Sequence, residues 1–133
     1  MPFMPTDTPP ILVFAPDLLM RQQLVEGLRA GGFPVRSAAT RARFDAALQE
    51  AAPAAIVVEL DGVGVDGAAL VGELRASDAT AATPLIGFCA HTRAELIAAA
   101  RAAGADRVVA RGEIVRGIAK IAGAATRGAT DPG

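Results

Sequence analysis

The residues best able to do chemistry in this chain are carboxylates that close its most apolar stretch. The run Pro53-Ala54-Ala55-Ile56-Val57-Val58-Glu59-Leu60-Asp61 ends on two acids, and Asp66-Gly67 follows closely. A carboxylate ending an apolar strand can be a fixed anion, an oxygen ligand for a small hard cation, or a buried charge needing a cationic partner. Asp17 is an acid of another kind. It precedes a leucine-rich segment in the position of a helix N-cap, and capping is favoured over a ligand role there. Cys89 and His91 are the only cysteine and histidine. A lone thiol forms no internal disulfide, and one thiol with one imidazole makes no zinc site. Cys89 therefore reads as a small packed residue before it reads as a redox sensor. His91, in a polar loop, is assigned no role.

Short β-branched runs alternate with longer segments of helical period, the pattern of a parallel sheet covered by helices on both faces. Five such units can be read. The first strand is Ile11-Leu12-Val13-Phe14, and its helix runs from Asp17 through Leu19, Leu24 and Leu28 to Gly31-Gly32. A weak second strand lies around residues 34–37, with a helix after Thr40 that carries Phe44, Ala47 and Leu48 and ends before Pro53. The third strand spans residues 56–60, and Asp66 caps a helix presenting Leu70, Val71 and Leu74. Residues 84–88 form the fourth strand. Thr92-Arg93-Ala94-Glu95 has the spacing of a capping box opening a fourth helix that stops at Gly104. The fifth strand is Arg107-Val108-Val109-Ala110, followed by a helix from about Glu113 through Ile114, Ile118 and Ile121.

This is a doubly wound α/β fold, a five-stranded parallel sheet with five helices in a three-layer α/β/α sandwich. Functional groups gather at the carboxyl ends of such strands. Here those ends offer Ala15, Pro16 and Asp17, then Glu59 to Asp61, Cys89 to His91, and Arg111-Gly112.

The chain has 133 residues, is 52% hydrophobic and carries a formal net charge of −1. That length supports one core, and the charge argues against nucleic-acid binding. No apolar run reaches membrane-spanning length, and Met1-Pro2-Phe3-Met4-Pro5 lacks the regions of a secretory signal. The expectation is one cytoplasmic domain over residues 10–124, with disordered segments at 1–9 and 125–133. No cofactor, nucleic-acid or membrane partner is expected.

From Ile11 to about Ile121 the sequence resembles the CheY-like receiver domains of two-component response regulators. With Glu59 at the phospho-acceptor position, Asp66-Gly67, Cys89-Ala90, Gly104-Ala105-Asp106 and Arg111 fall where that family has its Asp-Gly, Thr/Ser-Ala, Gly-Ala-Asp and Lys landmarks. The resemblance implies the strand order 2-1-3-4-5. It also implies a pocket, of Asp17, Asp61, Cys89 and Arg111 around Glu59, whose reactive positions have all changed. Ala15-Pro16 stands where the family has the acidic pair that holds magnesium, so no bound metal is expected. Cys89 replaces a hydroxyl residue, Val108 a rotating aromatic, and Gly112 a proline that follows the lysine in a cis bond.

Glu59 is one methylene longer than aspartate, a difference that matters where attack geometry is tight. The planar fork of Arg111 can meet a carboxylate in a bidentate pair, so a Glu59–Arg111 ion pair is expected across the pocket. The resemblance implies docking through helix four, strand five and helix five, where Arg93, Arg101, Arg107, Arg116 and Lys120 form a basic rim interspersed with Glu95, Asp106 and Glu113. The function expected is a stand-alone pseudo-receiver, not an enzyme. It would contact a sensor kinase, an output protein or a second copy without aspartate phosphorylation. The alternatives are an active receiver using Asp61 and a flavodoxin-like nucleotide or flavin binder. The absence of a glycine-rich loop after the first strand counts against the last of these.

Overall fold

A computed structural model describes residues 8–128. Five strands, β1 (Ile11–Phe14), β2 (Val35–Ala38), β3 (Ala55–Glu59), β4 (Leu85–Cys89) and β5 (Arg107–Ala110), alternate with five helices, α1 (Leu18–Ala30), α2 (Arg41–Glu50), α3 (Gly67–Ala76), α4 (Ala94–Ala103) and α5 (Arg111–Gly128). The sheet is parallel in the order β2-β1-β3-β4-β5, as expected. Its central register sets Phe14 beside Val58 and Glu59 beside Phe88, so the carboxyl ends of β1, β3 and β4 finish together.

Two apolar layers enclose the sheet because strand side chains alternate between its faces. Ile11, Val13, Val57, Ile86 and Phe88 pack with Leu24 and Leu28 of α1 and Ile114 and Ile118 of α5. Leu12, Phe14, Ile56, Val58 and Leu85 pack on the other face with Phe44 of α2, Leu70 and Leu74 of α3, and Ala100 of α4. Phe14 and Phe44 stack with centroids 5.1 Å apart. Both faces of β1, β3 and β4 are covered, which is why these strands read as unbroken apolar runs.

The expected caps at Asp17 and Asp66 form, and Thr40 caps α2 in the same way. Asp17, Thr40 and Asp66 accept the backbone N–H groups of Met20, Arg43 and Ala69. The capping box at α4 does not. The Arg93 N–H donates to the Ala90 carbonyl at 3.0 Å and draws Thr92 into a turn. The N-cap therefore falls on Arg93 with no side-chain cap, and Glu95 sits one position too early to complete the box. Gly104 stops α4 with φ of 121°, as its sequence position implies.

The last helix extends past residue 124, where the sequence reading set the end of the domain. Helix α5 begins at Arg111, directly after β5, and runs through Gly128 with a bend at Gly117. Of the end segments set at 1–9 and 125–133, residues 1–7 and 129–133 lie outside the described residues. Among the described residues no helix is long and apolar enough to cross a membrane.

At the amino-terminal edge of the sheet, Arg75 of α3 donates to the carbonyls of Gly104, Thr80, Ala81 and Thr83 and to the Asp106 carboxylate. Asp106 also accepts the Leu85 N–H at 2.8 Å. The Gly-Ala-Asp landmark is thus a clamp on the loops entering β4 and β5.

Candidate functional site

The site lies at the carboxyl edge of the sheet. Strand β3 delivers Glu59 there with 2% of its surface exposed, and Asp61 follows in the next turn with its side chain 8% exposed. Burying two carboxylates demands donors for their oxygens, and the chain supplies one for each. Arg111 Nη2 donates to Glu59 Oε2 at 2.7 Å and to Asp61 Oδ1 at 2.8 Å. The Asp17 N–H donates to Glu59 Oε1 at 3.1 Å, and the Ala90 N–H to Asp61 Oδ2 at 3.0 Å. Among the described residues no buried side-chain polar atom lacks a partner.

The expected Glu59–Arg111 pair therefore forms, with different geometry. The fork is not bidentate on Glu59: one nitrogen bridges two acids, because Asp61 reaches back to share it. The guanidinium also sits over the Phe88 ring, 5.9 Å from its centroid. Burial works to lower the Arg111 pKa, but the hydrogen bond to Glu59 and the charges of Asp61 and Glu59 outweigh it and raise the value above the ordinary one.

Local sequence explains the rest of the frame. Gly67 is required because a Cβ there would lie 2.6 Å from the backbone Cα and O of Leu60. That close approach fixes the start of α3 against the end of β3 and gives the Asp-Gly pair its physical meaning. Pro16 packs on the same turn, and a Cβ at Gly62 would meet its ring at 2.9 Å and the Glu59 carboxyl carbon at 3.3 Å. Arg21 of α1 secures the β1–α1 connection by donating to the Ala15 carbonyl at 2.7 Å and the Pro16 carbonyl at 3.3 Å. Nothing in the spacing of Arg21 signalled that role, nor the part of Asp61 as a second acceptor for Arg111.

Of the expected pocket residues, Glu59, Asp61 and Arg111 come together. Asp17 contributes only its backbone N–H, since its carboxylate is engaged as the α1 cap. Cys89 is fully buried in the layer beneath α3 and α4. Burial, then the Asp61 charge, pushes its thiol pKa up against the opposing effects of Arg93 and Arg111. His91 is exposed. Val108 is buried at 7% exposure.

A magnesium ion does not fit this arrangement. It requires an octahedron of oxygen ligands at short distance. Here Ala15 and Pro16 present no carboxylate, each acidic oxygen already accepts a hydrogen bond, and a guanidinium stands between the two acids. Among the described residues no group of three or more His, Cys, Asp and Glu could hold a metal ion.

The residues expected at the docking face are all exposed. Arg107, Arg116 and Lys120 line one groove with Glu113, Gly117, Ile121 and Ala124, and Arg107 pairs loosely with Glu113 at 3.8 Å. Arg93 and Arg101, on the side of α4, do not line that groove.

No protein-family model matches the chain, and no curated protein matches it in sequence. Solved structures do. The response regulator receiver domain protein of Clostridium thermocellum aligns with a TM-score of 0.80 at 14% identity over 92% of this chain and 97% of that one. The chemotaxis response regulator CheY4 of Vibrio cholerae aligns at 0.74 and 19% identity over 86% and 98%. NtrX from Brucella abortus aligns at 0.83 and 20% identity over 92% of this chain and 28% of its own length. What these likenesses establish is the architecture: the chain has the five-stranded fold of response-regulator receiver domains.

Proposed function

We propose that this chain is a signalling module of receiver type that acts in the cytoplasm by contact with a protein partner and does not accept a phosphoryl group. The observation that carries this reading is the bridge from Arg111 Nη2 to Glu59 at 2.7 Å and Asp61 at 2.8 Å. A phosphoryl acceptor needs a free carboxylate oxygen, a counter-cation to screen the incoming phosphate and room for in-line approach. Glu59 offers none of these: both its oxygens are engaged, its guanidinium partner is committed, and it is 2% exposed. Asp61 is in the same position with both oxygens engaged, which weighs against its serving as a substitute acceptor.

With the pocket closed, the module's output is the surface it presents. The groove of Arg107, Arg116 and Lys120 beside Ile121 and Ala124 combines cationic rim and apolar floor, a composition suited to a protein partner such as a sensor kinase, an output protein or a second copy. The test is intact mass after incubation with magnesium and acetyl phosphate, for wild type and for Glu59→Asp. Neither should gain a phosphoryl group, because restoring aspartate leaves Ala15, Pro16 and Arg111 in place. An adduct on the wild-type protein would overturn the proposal.

A further inference from the structure

We propose that the Arg111 guanidinium is the resident cation of this pocket, so that the carboxyl edge of the sheet is set by the chain itself and is indifferent to divalent metals. The inference rests on reading this edge as a receiver-type pocket and concerns how that pocket is controlled.

Two buried strand-end carboxylates need positive charge between them, because like charges at short range repel strongly where water is excluded. In this chain one nitrogen, 2.7 Å from one carboxylate and 2.8 Å from the other, supplies the positive charge that the two acids share. The remaining oxygen of each acid accepts a backbone N–H. These contacts tie four segments together: the start of α1 through Asp17, the end of β3 and its turn through Glu59 and Asp61, the β4–α4 turn through Ala90, and the start of α5 through Arg111. A divalent ion entering here would have to displace N–H donors from the acids and sit against the guanidinium, with no further acid supplied by Ala15 or Pro16. The guanidinium also stays protonated across the working pH range, since its pKa is raised. The cation of the pocket is therefore permanent, and neither metal supply nor chelation changes the arrangement of the four segments.

The test is a Mn2+ titration of the full chain followed by amide NMR, in which a bound paramagnetic ion broadens nearby signals. In wild type, the amides of Ala15, Asp17, residues 59–61 and residues 89–90 should broaden no more than those around exposed acids such as Asp78. In Arg111→Met, these amides should broaden selectively, with Mn2+ affinity at least about tenfold above wild type, a difference of ~1.4 kcal/mol. Adding Asp61→Asn to that variant should abolish the gain. Should Arg111→Met not fold, Glu59→Gln/Arg111→Met relieves the unpaired buried charge and should show no selective broadening. Selective broadening of the wild-type pocket would overturn the inference whatever the variants do, as would an Arg111→Met protein that folds and gains no site. Wild-type Mn2+ binding without a phosphoryl adduct would remove this inference and leave the proposed function standing. An adduct on wild type would remove the function itself.

Discussion

Replacing Arg111 with methionine keeps the apolar stem of the side chain and deletes the charge that Glu59 and Asp61 share. Two charge-assisted hydrogen bonds are lost, at 2.7 and 2.8 Å, each worth about 1.5–3 kcal/mol in a protein. Glu59, 2% exposed, is left with an uncompensated buried charge beside a second one. Breaking a fully buried pair by removing one partner costs about 3–5 kcal/mol. The Arg111 side chain is 34% exposed, so water can reach the gap and part of that cost is screened; the expected loss is therefore about 2–4 kcal/mol. Urea unfolding is the right assay because guanidinium salts would screen the interaction. With a slope of about 2 kcal/mol/M, the midpoint should fall by roughly 1–2 M. Glu59→Gln in the Arg111→Met background should recover a substantial part of the loss, giving a coupling of about 1–3 kcal/mol in the double-mutant cycle. A loss below about 0.5 kcal/mol, within the range of ordinary surface substitutions, or a cycle with no coupling, would refute the idea that the bridge organises this edge.

Gly67→Ala should destabilise by roughly 1–3 kcal/mol or more, because the new Cβ meets the Leu60 backbone at 2.6 Å and no flexible side chain can yield; a neutral result in thermal unfolding would show that α3 does not need this close approach. Arg75→Met should cost about 2–4 kcal/mol by freeing four carbonyls and Asp106, and hydrogen exchange should locate the loosening at residues 79–84 and 104–106. Native Cys89 should resist alkylation at pH 8 and react fully in urea, since burial keeps the thiol both neutral and covered; fast labelling of the folded protein would place it at an open site instead.

The fold was legible because its signals are local. Unbroken apolar runs at β1, β3 and β4 mark strands buried on both faces, and Asp17, Thr40 and Asp66 announce helix starts through side chains that bond their own neighbours. The Thr92–Glu95 spacing misled because a turn hydrogen bond from Arg93 to Ala90 competes for the same residues, and spacing alone does not register that competition. The apolar period of α5 could be followed only to Ile121, because the sequence beyond it is rich in alanine and glycine, which weakens the period without ending the helix. At the site, the meeting of Glu59 and Arg111 could be foreseen from their landmark positions, 52 residues apart. The bridge to Asp61 could not, because it depends on how the turn after β3 folds back. Nor could the loop-holding roles of Arg21 and Arg75, which act through backbone carbonyls and leave no pattern of residue types.

The most direct test of a pocket closed from within is the amide spectrum of the wild-type protein before and after addition of magnesium and beryllofluoride, a mimic of the phosphoryl group. The amides of Asp17 and Ala90, which donate to Glu59 and Asp61, should keep their positions, together with the Arg111 side-chain resonances. Shifts at Asp17, Ala90 and Arg111 that saturate with added beryllofluoride would contradict the closed pocket and make this chain a responsive receiver.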